Sequence, residues 1–198
     1  MNTRKNLLKE ASVLFISVIL ISTVIFLFTP ITQSAKAEQI GQIKIKEGFE
    51  IWPPAGWWLS GPALIVQTTG EPGGECQIGH HAAKIYFTGY TIGYRFFGEM
   101  GTPIFNGKKG GGNILTFWYK QLILNNNLDQ LVVLVFNGLG GWIQVANYTS
   151  SMDWTYEKIN LNDFIHPTKT MQVVFIAILH GGSNVYIDEV IITGISGE

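Results

Sequence analysis

After residue 37 this chain shows no helical periodicity, only short apolar runs broken by glycine, asparagine and proline. That pattern constrains the fold more than anything else in the sequence. Runs of this length, rich in β-branched and aromatic residues and punctuated by turn formers, read as strands. The spacing predicts strands at 43–50, 63–68, 82–88, 113–121, 130–137, 142–148, 155–160, 171–180 and 184–193. Asn137-Gly138-Leu139-Gly140-Gly141 reads as a hairpin turn, because its residues tolerate positive φ. Gly98 to Asn113 holds six glycines in 16 residues and reads as a long mobile loop. A brief helical turn is expected at 163–167. The fold class is therefore all-β, a sandwich or barrel.

Two strands depart from the usual alternation of apolar and polar residues. Residues 131–136 read Leu-Val-Val-Leu-Val-Phe, and residues 173–179 read Val-Val-Phe-Ile-Ala-Ile-Leu. A strand with one wet face alternates, so both faces of these two need cover. One face builds the core. The other calls for the Gly98–Asn113 loop, a ligand or another chain. In the strand at 113–121, Leu115, Phe117 and Tyr119 make the inward set and Trp118 points out.

The two ends of the globular part look complementary. Gly48-Phe49-Glu50 stands at the edge of the first strand, and Asp188-Glu189 interrupts the apolar last strand, Asn184 to Ile192. A carboxylate there is costly unless something partners it. Glu50 and Asp188 cannot satisfy each other, so a cation between them is one resolution. Solvation, or pairing with Lys46 or Lys84, is the other. Either way the first and last strands are expected side by side.

The first 37 residues form a separate segment. Arg4, Lys5 and Lys9 precede a run of 19 uncharged residues, Ala11 to Thr29, and Ala35-Lys36-Ala37 has the small-x-small pattern of a signal-peptidase site. The run suits a cleaved signal or a retained anchor helix. In both cases the remainder, 38–198, is exported as a single domain, extracellular or at the cell surface. A membrane is touched only through the N-terminal segment, if uncleaved. Residues 38–198 carry nine basic and thirteen acidic side chains, a formal net charge of −4. With no basic patch, nucleic acid is not an expected partner. Cys76 stands alone and cannot form an internal disulfide; a buried thiol is expected.

At this point the chain resembles a known family. The residues that carry the likeness are Gly48-Phe49-Glu50 with Pro53-Pro54-Ala55-Gly56-Trp57, Thr102-Pro103-Ile104 leading to Leu115-Thr116-Phe117-Trp118-Tyr119-Lys120, Trp154 with Ile159-Asn160-Leu161, and Tyr186-Ile187-Asp188-Glu189-Val190. Taken in order, they are similar to the jelly-roll domains of prokaryotic surface proteins known as choice-of-anchor J or cleaved-adhesin domains, relatives of MAM domains and of carbohydrate-binding modules. The resemblance implies an antiparallel jelly-roll β-sandwich, export, and a role in adhesion or glycan binding. It also implies a structural calcium on a first-strand Glu and a last-strand Asp, which match Glu50 and Asp188. Glu189 stands where the family often has a second aspartate. Neighbouring side chains in a strand face opposite ways, so Glu189 is left out of the site.

Six tryptophans offer flat apolar faces of the kind that stack on pyranose rings. Trp118, Trp142 and Tyr148 are candidates for one platform, and Trp58 for exposure in the first loop. Core packing is the competing assignment for each, and Trp57 and Trp154 match structural positions of the family. His80-His81 with Cys76 fits no zinc spacing. No serine sits in a nucleophile elbow, and no carboxylate pair has glycosidase spacing along a strand. Asn147-Tyr148-Thr149 is a glycosylation sequon. The leading expectation is a non-catalytic exported domain that binds a glycan or a surface protein. A homo-oligomeric subunit of a surface layer or filament is the second, and a hydrolase on a jelly-roll scaffold the third.

Overall fold

The structure is a computed structural model that describes residues 42–88, 95–111, 113–123, 129–180 and 183–194. The hydrophobic leader lies outside the described residues. Among those described, eleven strands form: β1 (Ile43–Glu47), β2 (Trp58–Ser60), β3 (Leu64–Gln67), β4 (Ala83–Tyr86), β5 (Phe96–Gly101), β6 (Asn113–Leu122), β7 (Gln130–Phe136), β8 (Ile143–Tyr148), β9 (Met152–Asn160), β10 (Gln172–Leu179) and β11 (Asn184–Gly194). One sheet runs β3-β4-β11-β6-β9, with β1 also on β11; the other runs β2-β5-β10-β7-β8. Every strand pairing in both is antiparallel. The chain is an all-β sandwich, as the strand pattern predicts.

The inward faces interdigitate as alternation requires. Leu115, Phe117 and Tyr119 of β6, with Val185, Ile187 and Ile192 of β11, meet Leu131, Val133 and Val135 of β7 and Val173, Phe175, Ala177 and Leu179 of β10. Phe117 and Phe175 lock the two sheets edge to face, with ring centroids 5.1 Å apart. Cys76 is buried with a free thiol, as expected.

The first and last strands do lie together, with Ile45 opposite Ile192, Lys46 opposite Ile191 and Glu47 opposite Val190. β4 holds the first half of β11 and β1 the second half. β1 ends at Glu47, short of the expected Glu50, because the chain turns at once. Phe49 adopts φ 58°, a conformation that costs a bulky residue energy. Its amide donates to Glu47 Oε1 at 2.7 Å, and its ring is fully buried. The turn thus puts Phe49 inside and Glu50 outside.

Two strands escaped the sequence reading. The first four residues of the expected 98–113 loop belong to β5, which pairs with β10 and β2. The rest of that loop is tied down at its base: Phe105 and Met171 exchange two backbone hydrogen bonds of 2.9 Å, and the Gly107 amide donates to the Thr168 carbonyl at 2.8 Å. It therefore sits at one end of the sandwich and does not cover a sheet face. β2 is only three residues long, below the length at which alternation is visible. The helical turn falls at Leu161–Asp163, slightly earlier than expected, because the Asn160 side chain caps it by accepting from the Asn162 amide.

Phe175→Ala should lower the unfolding free energy by about 3–5 kcal/mol, since a fully buried ring that bridges both sheets leaves a cavity. Urea midpoints of the two proteins at equal m-value measure this.

Candidate functional site

The acidic pair and its neighbours come first. Asp188 is fully buried. Its Oδ2 accepts from the amides of Gln77 and Ile78 at 2.8 and 2.9 Å, and its Oδ1 accepts from the Glu189 amide at 2.7 Å. Burial raises its pKa against the pull of those donors. Glu50 reaches the next turn of the same loop, where Oε1 accepts from the amides of His80 and His81 at 3.0 and 3.3 Å. The two carboxylates thus flank one segment, and its backbone N–H groups answer both. Calcium needs about six to eight oxygens. Here the recorded partners are hydrogen-bond donors, and among the described residues no three His, Cys, Asp or Glu side chains gather as metal ligands. Backbone amides thus answer both oxygens of Asp188 and one oxygen of Glu50.

Lys46 and Lys84, the alternative partners, are engaged elsewhere. Lys84 Nζ lies 3.1 Å from Glu75 Oε1, and Lys46 Nζ lies 3.7 Å from Glu189 Oε1. Strict alternation fails at Glu189. The ladder between β11 and β6 shifts register between Asp188 and Ile191, and Glu189 has φ 45°. Its Oε2 is buried without a hydrogen-bond partner. It also faces Glu47, whose pKa is raised by burial and then by this neighbour.

The four aromatic candidates do not share a surface. Trp118 lies on the outer face of the six-stranded sheet, opposite Asp188 in register and beside Tyr156 at a centroid distance of 5.3 Å. Tyr148 turns inward. It stacks on Tyr119 at 4.3 Å and meets Phe117 edge-on, and burial followed by Glu157 pushes its phenol pKa up. The reason is register: Tyr148 stands opposite Leu131, a core residue, so it shares that residue's side of the sheet. Trp57 and Trp154 are structural, as expected. Trp57 packs against Phe49, and the Trp154 indole donates to the Gly74 carbonyl at 3.0 Å.

Trp58 and Trp142 are brought to one face, the outer side of the five-stranded sheet. Trp58 opposes Gly101, Gly101 opposes Val174, Val174 opposes Leu134, and Leu134 opposes Gln144. These five residues form one row across all five strands. At the usual interstrand spacing the row is about 19 Å long. Gly101 makes room for the indole: a Cβ there would stand 2.2 Å from Trp58 Nε1. The ring therefore lies across the strand, over the residue that separates it from Val174, and Val174 is 2% exposed. At the far end Trp142, 43% exposed, packs on Phe136 at 5.2 Å. Polar groups stand between them, Gln144 in the row itself and Gln172 opposite Phe136, and Glu99 borders the row on its other side. The doubly apolar strands β7 and β10 supply the floor. Sequence reasoning found that floor but missed Glu99, Gly101, Phe136 and Gln172. β5 reads as glycine-rich loop, and only register assigns a face.

No family model and no curated protein matches this sequence. Solved structures do share its fold. The K1 cleaved adhesin domain of Lys-gingipain from Porphyromonas gingivalis is similar over 76% of this chain and 98% of its own, at 16% identity and a TM-score of 0.58. The CBM22-1 xylan-binding domain of Paenibacillus barcinonensis Xyn10C is similar over 82% of this chain and 100% of its own, at 15% identity and a TM-score of 0.54. The module TmCBM61, solved with β-1,4-galactotriose, is similar over 74% of this chain and 94% of its own, at 17% identity and a TM-score of 0.55. At these identities the likeness establishes the fold: a β-sandwich of the kind found in carbohydrate-binding modules and cleaved adhesin domains.

Proposed function

We propose that this is an exported, non-catalytic domain that binds a glycan chain across the outer face of its five-stranded sheet. The observation that carries the reading is the seat of Trp58. Its indole lies over Gly101 at one end of a cross-strand row, while Trp142 stands beside Phe136 near the other. Sugar rings present apolar C–H faces that stack on such rings, and their hydroxyls need donors and acceptors between the stacking points. Gln172 and Gln144 supply those, and Glu99 adds a further acceptor along the other side of the row. The row is long enough for a short oligosaccharide. The xylan-binding and galactotriose-bound modules named above support the reading through their shared fold.

The apolar floor also favours a second reading, self-association through the same face. Phe97 is 44% exposed there, opposite Ile178 of β10 and one row from Ile176, which stands opposite Val132 of β7.

A glycan array followed by titration calorimetry tests the first reading. Trp58→Ala should weaken binding about tenfold or more, a loss near 1.4 kcal/mol. Trp118→Ala, on the opposite sheet, should leave binding unchanged. If the wild-type chain binds no glycan while light scattering shows a concentration-dependent oligomer that Phe97→Glu dissolves, the second reading replaces the first.

Calcium has a separate test. Because amide donors hold Glu50 and Asp188, a chelator should leave the melting temperature unchanged. A chelator-sensitive transition restored by calcium would return the cation to that site by mass action.

A further inference from the structure

We infer that one end of the sandwich is a docking surface for an anionic lipid membrane. Three loops converge there: 102–111 between β5 and β6, 137–142 between β7 and β8, and 161–171 between β9 and β10. Backbone bonds bind the first to the third, at Phe105 with Met171 and at Gly107 with Thr168. The Thr168 hydroxyl donates to the Asn137 carbonyl and ties in the second. Beneath them Lys44 Nζ donates to Asn113 Oδ1 at 2.6 Å, and Asn113 Nδ2 donates to Asn162 Oδ1 at 2.8 Å. The loops are therefore a braced unit.

Each loop presents a large apolar side chain to solvent, Ile104 at 67%, Leu139 at 83% and Phe164 at 44% exposure, and Trp142 stands at the edge of the second loop. Single exposed apolar residues are ordinary. Three on neighbouring loops at one end, with three lysines against one carboxylate, are not. Lys108, Lys109 and Lys169 are exposed on two of these loops, and Asp163 is their only carboxylate among the described residues. The exported part as a whole is acidic, so this end stands against the net charge.

Apolar tips flanked by lysines match the layered chemistry of a membrane surface. The tips enter the headgroup boundary and the ammonium groups meet anionic headgroups. An acidic polysaccharide would use the lysines but not Ile104 or Leu139, which offer no flat ring for stacking. The chain also enters the domain at this end, where the Gly194 amide donates to the Gln42 carbonyl at 2.8 Å. Twelve residues, 30–41, separate that point from the uncharged run 11–29. The surface adjoins the glycan face proposed above at Trp142, rests on other side chains and does not depend on it.

Hydrogen exchange on the full chain tests this, in nanodiscs of phosphatidylcholine alone or mixed with phosphatidylglycerol. Amides in 104–111, 137–142 and 161–170 should exchange severalfold more slowly with phosphatidylglycerol present. Lys108→Glu with Lys109→Glu and Lys169→Glu should abolish that difference, and so should Leu139→Asp. All four positions are exposed, and unchanged protection of β10 reports an intact fold. Equal exchange in the two lipids overturns the proposal, as does a difference that survives both variants. Equal protection by polygalacturonate in detergent also overturns it, in favour of an acidic glycan.

Discussion

A buried carboxylate organises this sandwich. Asp188 lies at the point on β11 where one neighbour gives way to another, β4 holding the residues before it and β1 those after. An ionised group in that position costs several kcal/mol unless donors surround it. Three backbone amides do so, two of them from the loop at 77–78. Charge-assisted bonds of this kind are the strong ones. They fasten a loop that also carries the amides holding Glu50, and so link the first strand, the last strand and the connection between β3 and β4. The bulge after Asp188 is part of the same arrangement, since it turns the Glu189 amide back onto Oδ1.

With the seam closed, the sandwich has two outer faces of different character. On the six-stranded sheet, Glu75 pairs with Lys84 and Tyr186, and the Gly74 carbonyl takes the Trp154 indole, so loop 70–81 overlies part of that face. The five-stranded sheet has no such strap among the described residues. Its two central strands are apolar outside as well as inside, and its cover is a laid-down indole over a glycine. Strand pairing holds those groups in register across all five strands.

Much of this was legible in the chain itself. Alternation in β6 set Leu115, Phe117 and Tyr119 inward and Trp118 outward, and that is how they lie. The doubly apolar runs in β7 and β10 announced a face in need of cover. Other features were invisible for identifiable reasons. β5 contains two glycines and a glutamate, which read as loop, yet pairing on both sides makes it a strand. Tyr148 looked like part of an outer platform, but the register shift within the β7–β8 pairing decides which way each β8 side chain points.

Local pattern alone determined the class of fold, the inward set of β6 and the burden of a carboxylate in an apolar strand. Side-chain period and β-branched composition are properties of a few consecutive residues, so they can be read in one dimension. Tertiary structure alone decided who answers the two carboxylates and which aromatics share a face. Both outcomes depend on groups brought together from distant segments: amides of residues 77–81 for Glu50 and Asp188, and Gly101 for Trp58. No spacing along the chain encodes such meetings, because strand register and bulges set them.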